Sequence, residues 1–101
     1  MSKIDVVALL KAKPGSEDVV GSTLAGLAVS SRTDGGCISY DVFASEVEPG
    51  TFVTIEQWES QADLDAHMAS PHLSEALAEA GQHLAGPPAI HTLRPVEAPG
   101  D

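Results

Sequence analysis

Two histidines five residues apart, His67 and His72, with Pro71 between them, follow the chain's only tryptophan and a carboxylate set in an apolar run. The stretch reads Ile55-Glu56-Gln57-Trp58-Glu59-Ser60, then Leu64, His67, Pro71 and His72. Imidazoles take and give protons near neutrality, and a carboxylate buried without a partner can act as a general base. Glu56 suits that role if its strand hides it. The plainer reading is a strand-end carboxylate facing solvent or paired with Arg32 or Arg94. Trp58 shares a strand face with Glu56 and reads as core or pocket wall rather than as a reacting group. Asp63 stands one helical turn before His67 and could orient its ring. His72 falls near a helix N-terminus. Two ordinary surface histidines would look the same in sequence.

Other chemistries find less support. The spacing of His67 and His72 does not match the i, i+4 pair of a helical zinc site, and His83 and His91 fall in separate elements. No dedicated metal site is expected. Cys37 is the single cysteine, so no disulfide within the chain is possible. It follows Gly35-Gly36 with no neighbouring base in sequence, and reads as a small apolar residue. There is no nucleophile elbow, phosphate loop or dinucleotide fingerprint, so ATP, NAD and flavin have no familiar holder. Fifteen acids against five bases give a formal charge of −10, and between positions 33 and 93 stand ten acids and no Lys or Arg. Such a balance opposes nucleic-acid binding and adsorption to anionic membranes. The N-terminus has no long apolar run, so neither a signal peptide nor a membrane span is expected, and a cytoplasmic setting follows.

The elements that must position these groups can be read from periodicity. One hundred and one residues make one domain. Residues 4–11 form a strand that is apolar on both faces in its middle, so neither face is expected to meet water. Lys13-Pro14-Gly15 turns the chain, Ser16 is a good N-cap, and Val20, Leu24 and Leu27 mark an amphipathic helix to about Ser31. Gly21, inside it, could let the helix lie close to a sheet or a ligand. After the break at Asp34-Gly35-Gly36, residues 37–44 form a strand with Ile38, Tyr40 and Val42 on one face. Pro49-Gly50 then turns it into an antiparallel partner, residues 51–58, with Phe52, Thr54, Glu56 and Trp58 sharing a face. Ser60 and Asp63 resemble a capping box for a helix to about Met68. A further helix covers residues 72 to about 84, a last strand residues 89–96, and residues 97–101 a frayed tail.

The order β-α-β-β-α-α-β predicts an α+β, ferredoxin-like split βαβ sandwich on an antiparallel sheet. Helices cover one face of such a sheet. The doubly apolar first strand predicts that the other face is covered too, most simply by a second copy in a symmetric homodimer.

The run from Ile55 to Ser60, then Ala62, Leu64, Ala66-His67 and Ser70-Pro71-His72, resembles the antibiotic biosynthesis monooxygenase family, in particular its quinol-monooxygenase-like branch. Lys13-Pro14-Gly15, Gly36-Cys37 and Tyr40 extend the likeness over nearly the whole chain. The resemblance implies a dimeric α/β barrel and a pocket between sheet and helices in each subunit. It also implies oxidation of a hydroquinone or polycyclic phenol to a quinone without flavin, haem or metal, with O₂ as co-substrate. His67 and His72 would then move protons or hydrogen-bond the substrate, and Glu56 would orient or act as a base. Trp58, Tyr40 and Phe52 would wall a pocket for a small aromatic molecule. The family also holds haem-degrading members. Aligned on Trp58-Glu59-Ser60, Leu77 stands where the resemblance implies their haem-ligating histidine, so haem degradation is not expected. Because the same fold carries binders without activity, the alternative is a dimeric module that binds or senses a small aromatic ligand.

Overall fold

The computed structural model describes residues 3–100. Its elements are β1 (Ile4–Lys11), α1 (Glu17–Ser31), β2 (Cys37–Ala44), β3 (Thr51–Trp58), α2 (Gln61–Met68), α3 (Pro71–Gly81) and β4 (Ala89–Leu93). The four strands form one sheet in the order β2-β3-β1-β4, with antiparallel pairing throughout. This is the ferredoxin-like α+β arrangement expected from the element order. β1 is central, paired with β3 from Ile4↔Trp58 to Lys11↔Thr51 and with β4 from Asp5↔Leu93 to Leu9↔Ala89. Its residues Val6, Ala8 and Leu10 are buried under the helices, while Leu9 on the opposite face is exposed in the single chain.

The core lies between the sheet and the helices. Val6, Ala8 and Leu10 of β1, with Tyr40 and Trp58, meet Val20, Leu24, Leu27 and Ala28 of α1. Burying each of the larger aliphatic side chains contributes about 1.5–3 kcal/mol. Gly21 of α1 lies against the Phe52 ring, where an added Cβ would come within 3.2 Å of ring carbon. Its smallness therefore serves the close approach of helix to sheet. Gly36 has φ +82°, and a Cβ there would collide with the Asp63 side chain. Only glycine lets the start of β2 pass so close to α2.

Local chemistry departs from the sequence expectations at several points. Ser16 makes no side-chain cap for α1. Its hydroxyl instead meets His83 Nδ1 at 3.1 Å, leaving Glu17 and Asp18 to face the positive helix end. A bulge between Cys37 and Ser39 removes Ile38 from the helix-facing row, and Cys37 packs against the core in its place. α3 ends at Gly81 rather than near Leu84. The chain beyond it is drawn to the sheet, where the His83 carbonyl accepts from Lys13 N–H at 2.8 Å and Leu84 bridges to Ala12. β4 ends at Leu93 rather than Val96, because its pairing stops at Asp5 near the start of β1 and Pro95 has no N–H to donate. Residues 97–100 are exposed and carry no helix or strand, and Asp101 of the expected tail lies outside the described residues.

The sheet face turned away from the helices carries cross-strand apolar rows. Phe43, Val53, Leu9 and Ala89 are aligned in register, with Ile55 and Val7 in the adjacent row. In the single chain Leu9 is 41%, Phe43 51% and Ile55 52% exposed. Scattered apolar residues on a surface are ordinary, but a contiguous apolar sheet face is the mark of an interaction surface.

Candidate active site

His67 lies in the last turn of α2 and His72 in the first turn of α3, so they do not share a helix face. The break between the helices brings them together. Ser70 closes that break by donating its N–H (3.0 Å) and its hydroxyl (2.7 Å) to the His67 carbonyl. Its oxygen also accepts from Leu73 N–H, which caps α3, while Pro71 occupies the first turn where no donor is needed. Both imidazoles then converge on one carboxylate oxygen: His67 Nδ1 is 3.1 Å and His72 Nε2 2.9 Å from Asp34 Oδ2. Asp34 is held by the turn after α1, its N–H bonded to the Ser31 carbonyl and its own carbonyl accepting from Cys37 N–H.

This geometry dictates tautomers. An ionised carboxylate only accepts, so each ring must present an N–H to Asp34. In neutral rings the lone pairs are then left on His67 Nε2 and His72 Nδ1. A carboxylate behind an imidazole also stabilises the imidazolium that proton uptake creates.

A second buried group stands behind His67. Thr54, Glu56 and Trp58 share one face of β3, and Thr54 donates to Glu56 Oε2 at 2.7 Å while Trp58 Nε1 donates to Oε1 at 3.1 Å. Glu56 is buried and pairs with neither Arg32 nor Arg94. Arg32 is engaged by the Tyr40 carbonyl and Asp41. Both Glu56 oxygens serve neutral donors, so the geometry favours orientation of Trp58 over attack on a substrate proton. The fully buried Trp58 ring stacks on His67 with centroids 4.5 Å apart and planes inclined by 34°. Tyr40 closes the cluster, edge-on to Trp58 and 5.5 Å from His67.

Burial first, and then the Glu56 carboxylate, push the Tyr40 phenol well above its usual range, against a smaller opposing effect of the Thr54 hydroxyl. Tyr40 therefore stays protonated and keeps an O–H to donate. Burial, followed by the nearby Asp34 charge, also raises the Cys37 thiol. A neutral thiol is a poor nucleophile, in keeping with the apolar role expected for it.

Between sheet and helices is an apolar cavity of about 30 Å³. Tyr40 and Thr54 line it with Leu24, Leu27, Leu73 and Leu77. On the outer side of α1 and α3 runs a groove of about 330 Å³ that includes His72, and Leu27 borders both spaces. Small-molecule pockets usually span roughly 300–1,000 Å³, so the cavity must widen to take an aromatic substrate.

Of the residues singled out from the sequence, His67, His72, Trp58, Tyr40 and Glu56 come together at one end of the sheet. Phe52 does not. It packs on Gly21, six residues along β3 from Trp58, a separation of roughly 20 Å at the rise of a strand. Asp63, expected to orient His67, instead accepts from the Ser60 hydroxyl at 2.8 Å, because the capping box claims its carboxylate. Asp34 is the residue the sequence reading missed as a site group, having served there only to mark a chain break. The available signal was an acid immediately before Gly35-Gly36, at the turn that starts the strand carrying Tyr40.

The family model of antibiotic biosynthesis monooxygenases matches residues 4–79. The chain belongs to the antibiotic biosynthesis monooxygenase family. It is 30% identical over 96 residues to Rv0793 of Mycobacterium tuberculosis, covering 95% of this chain and 94% of the relative. YcnE of Bacillus subtilis is 30% identical over 80 residues, 79% of this chain and 84% of the relative. Both relatives bear provisional monooxygenase names. The solved structure of Rv0793 superposes with a TM-score of 0.86 at 29% identity, covering 98% of this chain and 100% of that one. A solved antibiotic biosynthesis monooxygenase gives 0.86 at 29% identity over 93% of this chain and 99% of its own. The match includes every residue of the Asp34–His67–His72 cluster and of the Glu56–Trp58–Tyr40 group. A monooxygenase-type function follows at the level of the family. Among the described residues no helix is long and apolar enough to cross a membrane.

Proposed function

We propose that this chain is a cofactor-independent monooxygenase that oxidises a hydroquinone or polycyclic phenol to a quinone with O₂. The observation that carries the reading is the pair of imidazoles held on Asp34, with His67 against Tyr40, a residue that lines an apolar cavity, within a monooxygenase family. His67 takes the phenolic proton at Nε2, and Asp34 stabilises the imidazolium. The electron-rich anion passes electrons to O₂, and bonding of oxygen to the ring carbon gives a peroxide. For a phenol with a free ring C–H, loss of water from that peroxide leaves a quinone, so one oxygen atom enters the ring and the other leaves as water. A hydroquinone oxidised without a new C–O bond yields quinone and hydrogen peroxide. The protonated Tyr40 hydroxyl supplies a hydrogen bond to developing negative charge.

The small cavity supports a second reading, a module that binds an aromatic ligand without converting it. O₂ uptake above autoxidation with a menadiol-like hydroquinone, alongside ligand-induced thermal shift, separates the two. Uptake supports the oxygenase. Thermal shift without uptake supports the binder, and neither leaves only a structural role.

The reading includes a homodimer, each copy covering the other's exposed sheet face. Ile55→Asp places a charge in the centre of that face opposite Val7. Sedimentation is expected to show a dimer for the parent chain and a folded monomer for the variant. A parent chain that sediments as a monomer at micromolar concentration would remove the dimer.

A further inference from the structure

We propose that Asp34, His67 and His72 form a binding site for a borderline divalent cation of the zinc class. Their ligand atoms, His67 Nδ1, His72 Nε2 and an Asp34 carboxylate oxygen, lie within 4.8 Å of one another. Two of the separations are 3.1 and 2.9 Å. Ligands about 2.0–2.2 Å from one ion, at angles between a right angle and the tetrahedral value, stand roughly 2.9–3.5 Å apart. The distances that suit a shared carboxylate therefore also suit a shared cation. The remaining nitrogen-to-nitrogen gap closes by rotation of His72, whose side chain is 28% exposed.

The donor set selects the ion. Two imidazoles and one carboxylate suit Zn²⁺, Co²⁺ or Ni²⁺ better than Mg²⁺ or Ca²⁺, which take oxygen ligands. Packing and backbone bonds hold two of the three ligands in place. His67 is clamped by Trp58, which Glu56 holds in turn, and Asp34 is fixed by the backbone of its turn. Charge favours the same conclusion, because among the described residues Asp34 has ion-pair partners only in the two imidazoles. No lysine or arginine lies between positions 33 and 93. The groove beside His72 is the entry path, and water would fill the coordination positions left open.

Occupancy has a consequence that rests on the function proposed above. Metal bound at His67 Nδ1 and His72 Nε2 moves the proton of each neutral ring to its other nitrogen. His67 Nε2 then carries a proton and can no longer accept one. The metal-loaded chain is thus the inactive form, and a chelator restores activity.

Titration of chelator-treated, full-length protein with Co²⁺, followed by its visible absorption, and with Zn²⁺ by calorimetry, tests the site. The expected result is one ion per chain, displacement of Co²⁺ by Zn²⁺, and weaker binding at pH 6 than at pH 8. Asp34→Asn and His72→Ala should each weaken binding by at least the roughly 10- to 100-fold that loss of a group merely supporting a metal ligand costs. His83→Ala and His91→Ala should leave it unchanged. Circular dichroism and thermal melts confirm that the variants are folded. No saturable Co²⁺ spectrum, or binding that survives Asp34→Asn and His72→Ala but falls with His83→Ala or His91→Ala, overturns the site. Binding is read without substrate, so a metal-binding chain that never consumes O₂ would sink only the oxygenase reading.

Discussion

Replacement of His67 by phenylalanine is expected to lower hydroquinone-dependent O₂ consumption by about 10²- to 10⁴-fold, the contribution of a well-placed general base. Phenylalanine keeps an aromatic ring against Trp58, so the loss reports on the nitrogens rather than on packing. Nδ1–H no longer reaches Asp34, and Nε2 no longer accepts the substrate proton. Asp34 keeps its bond to His72 and some contact with water, so the fold should survive the change. His72→Ala should also slow turnover, through loss of the second donor to Asp34 and of a polar group at the groove. Its effect should be smaller, because His72 is partly exposed and water can stand in for it. The measurement is initial O₂ uptake corrected for autoxidation, with circular dichroism as the folding control. Turnover unchanged in both variants would remove the proton-transfer assignment.

The largest expected effect on stability belongs to Trp58. Trp58→Ala should cost about 3–5 kcal/mol in urea or thermal denaturation, since the indole is fully buried where β3 leads into α2. Domains of this size have about 5–15 kcal/mol in total, so the variant should sit near the edge of folding. Packing is only part of the loss, because Glu56 Oε1 would also lose its N–H partner in a buried place. Trp58→Phe separates the two contributions. It retains most of the ring area but not the N–H, and should cost about 1–3 kcal/mol for the carboxylate left under-satisfied. A Trp58→Phe chain as stable as the parent would show that the bond to Glu56 contributes nothing and that Trp58 acts by volume alone.

Metal inhibition and the His67 result bear on each other. Because Asp34 both fixes the two tautomers and stabilises the imidazolium, Asp34→Asn should impair O₂ uptake as well as cation binding. An amide oxygen can still accept hydrogen bonds but carries no charge to stabilise an imidazolium.

The elements were legible because their signals are local. Helical spacing of Val20, Leu24 and Leu27, alternation through β3 and the Pro49-Gly50 turn depend on neighbours a few residues away, and the structure contains α1, β3 and the β2–β3 connection where they predict them. The helix-facing row of β1 was legible as well, since Val6, Ala8 and Leu10 alternate along the strand and all three are buried. End points were less legible. α3 stops at Gly81 because His83 and Leu84 bind the far end of β1 and the residues after it, and no pattern within the helix records that contact. Ile38 left its expected face because a bulge is a property of two paired strands rather than of one.

The site divides along the same line. From the sequence alone came the types of its groups: imidazoles at His67 and His72, a carboxylate at Glu56, aromatic rings at Trp58 and Tyr40, and the family signature that joins them. Only the tertiary structure decided their partners. Side chains adjacent along a helix or strand are set by its period, so Thr54, Glu56 and Trp58 could be placed on one face from their spacing. Asp34 reaches His67 across 33 residues of chain and His72 across 38, and such a meeting depends on how α1, α2 and α3 pack on the sheet. The acid near in sequence, Asp63, was taken by its own helix cap. The paired histidines read from the sequence as a proton-transfer candidate are therefore defined by a third group, Asp34, that the fold alone delivers.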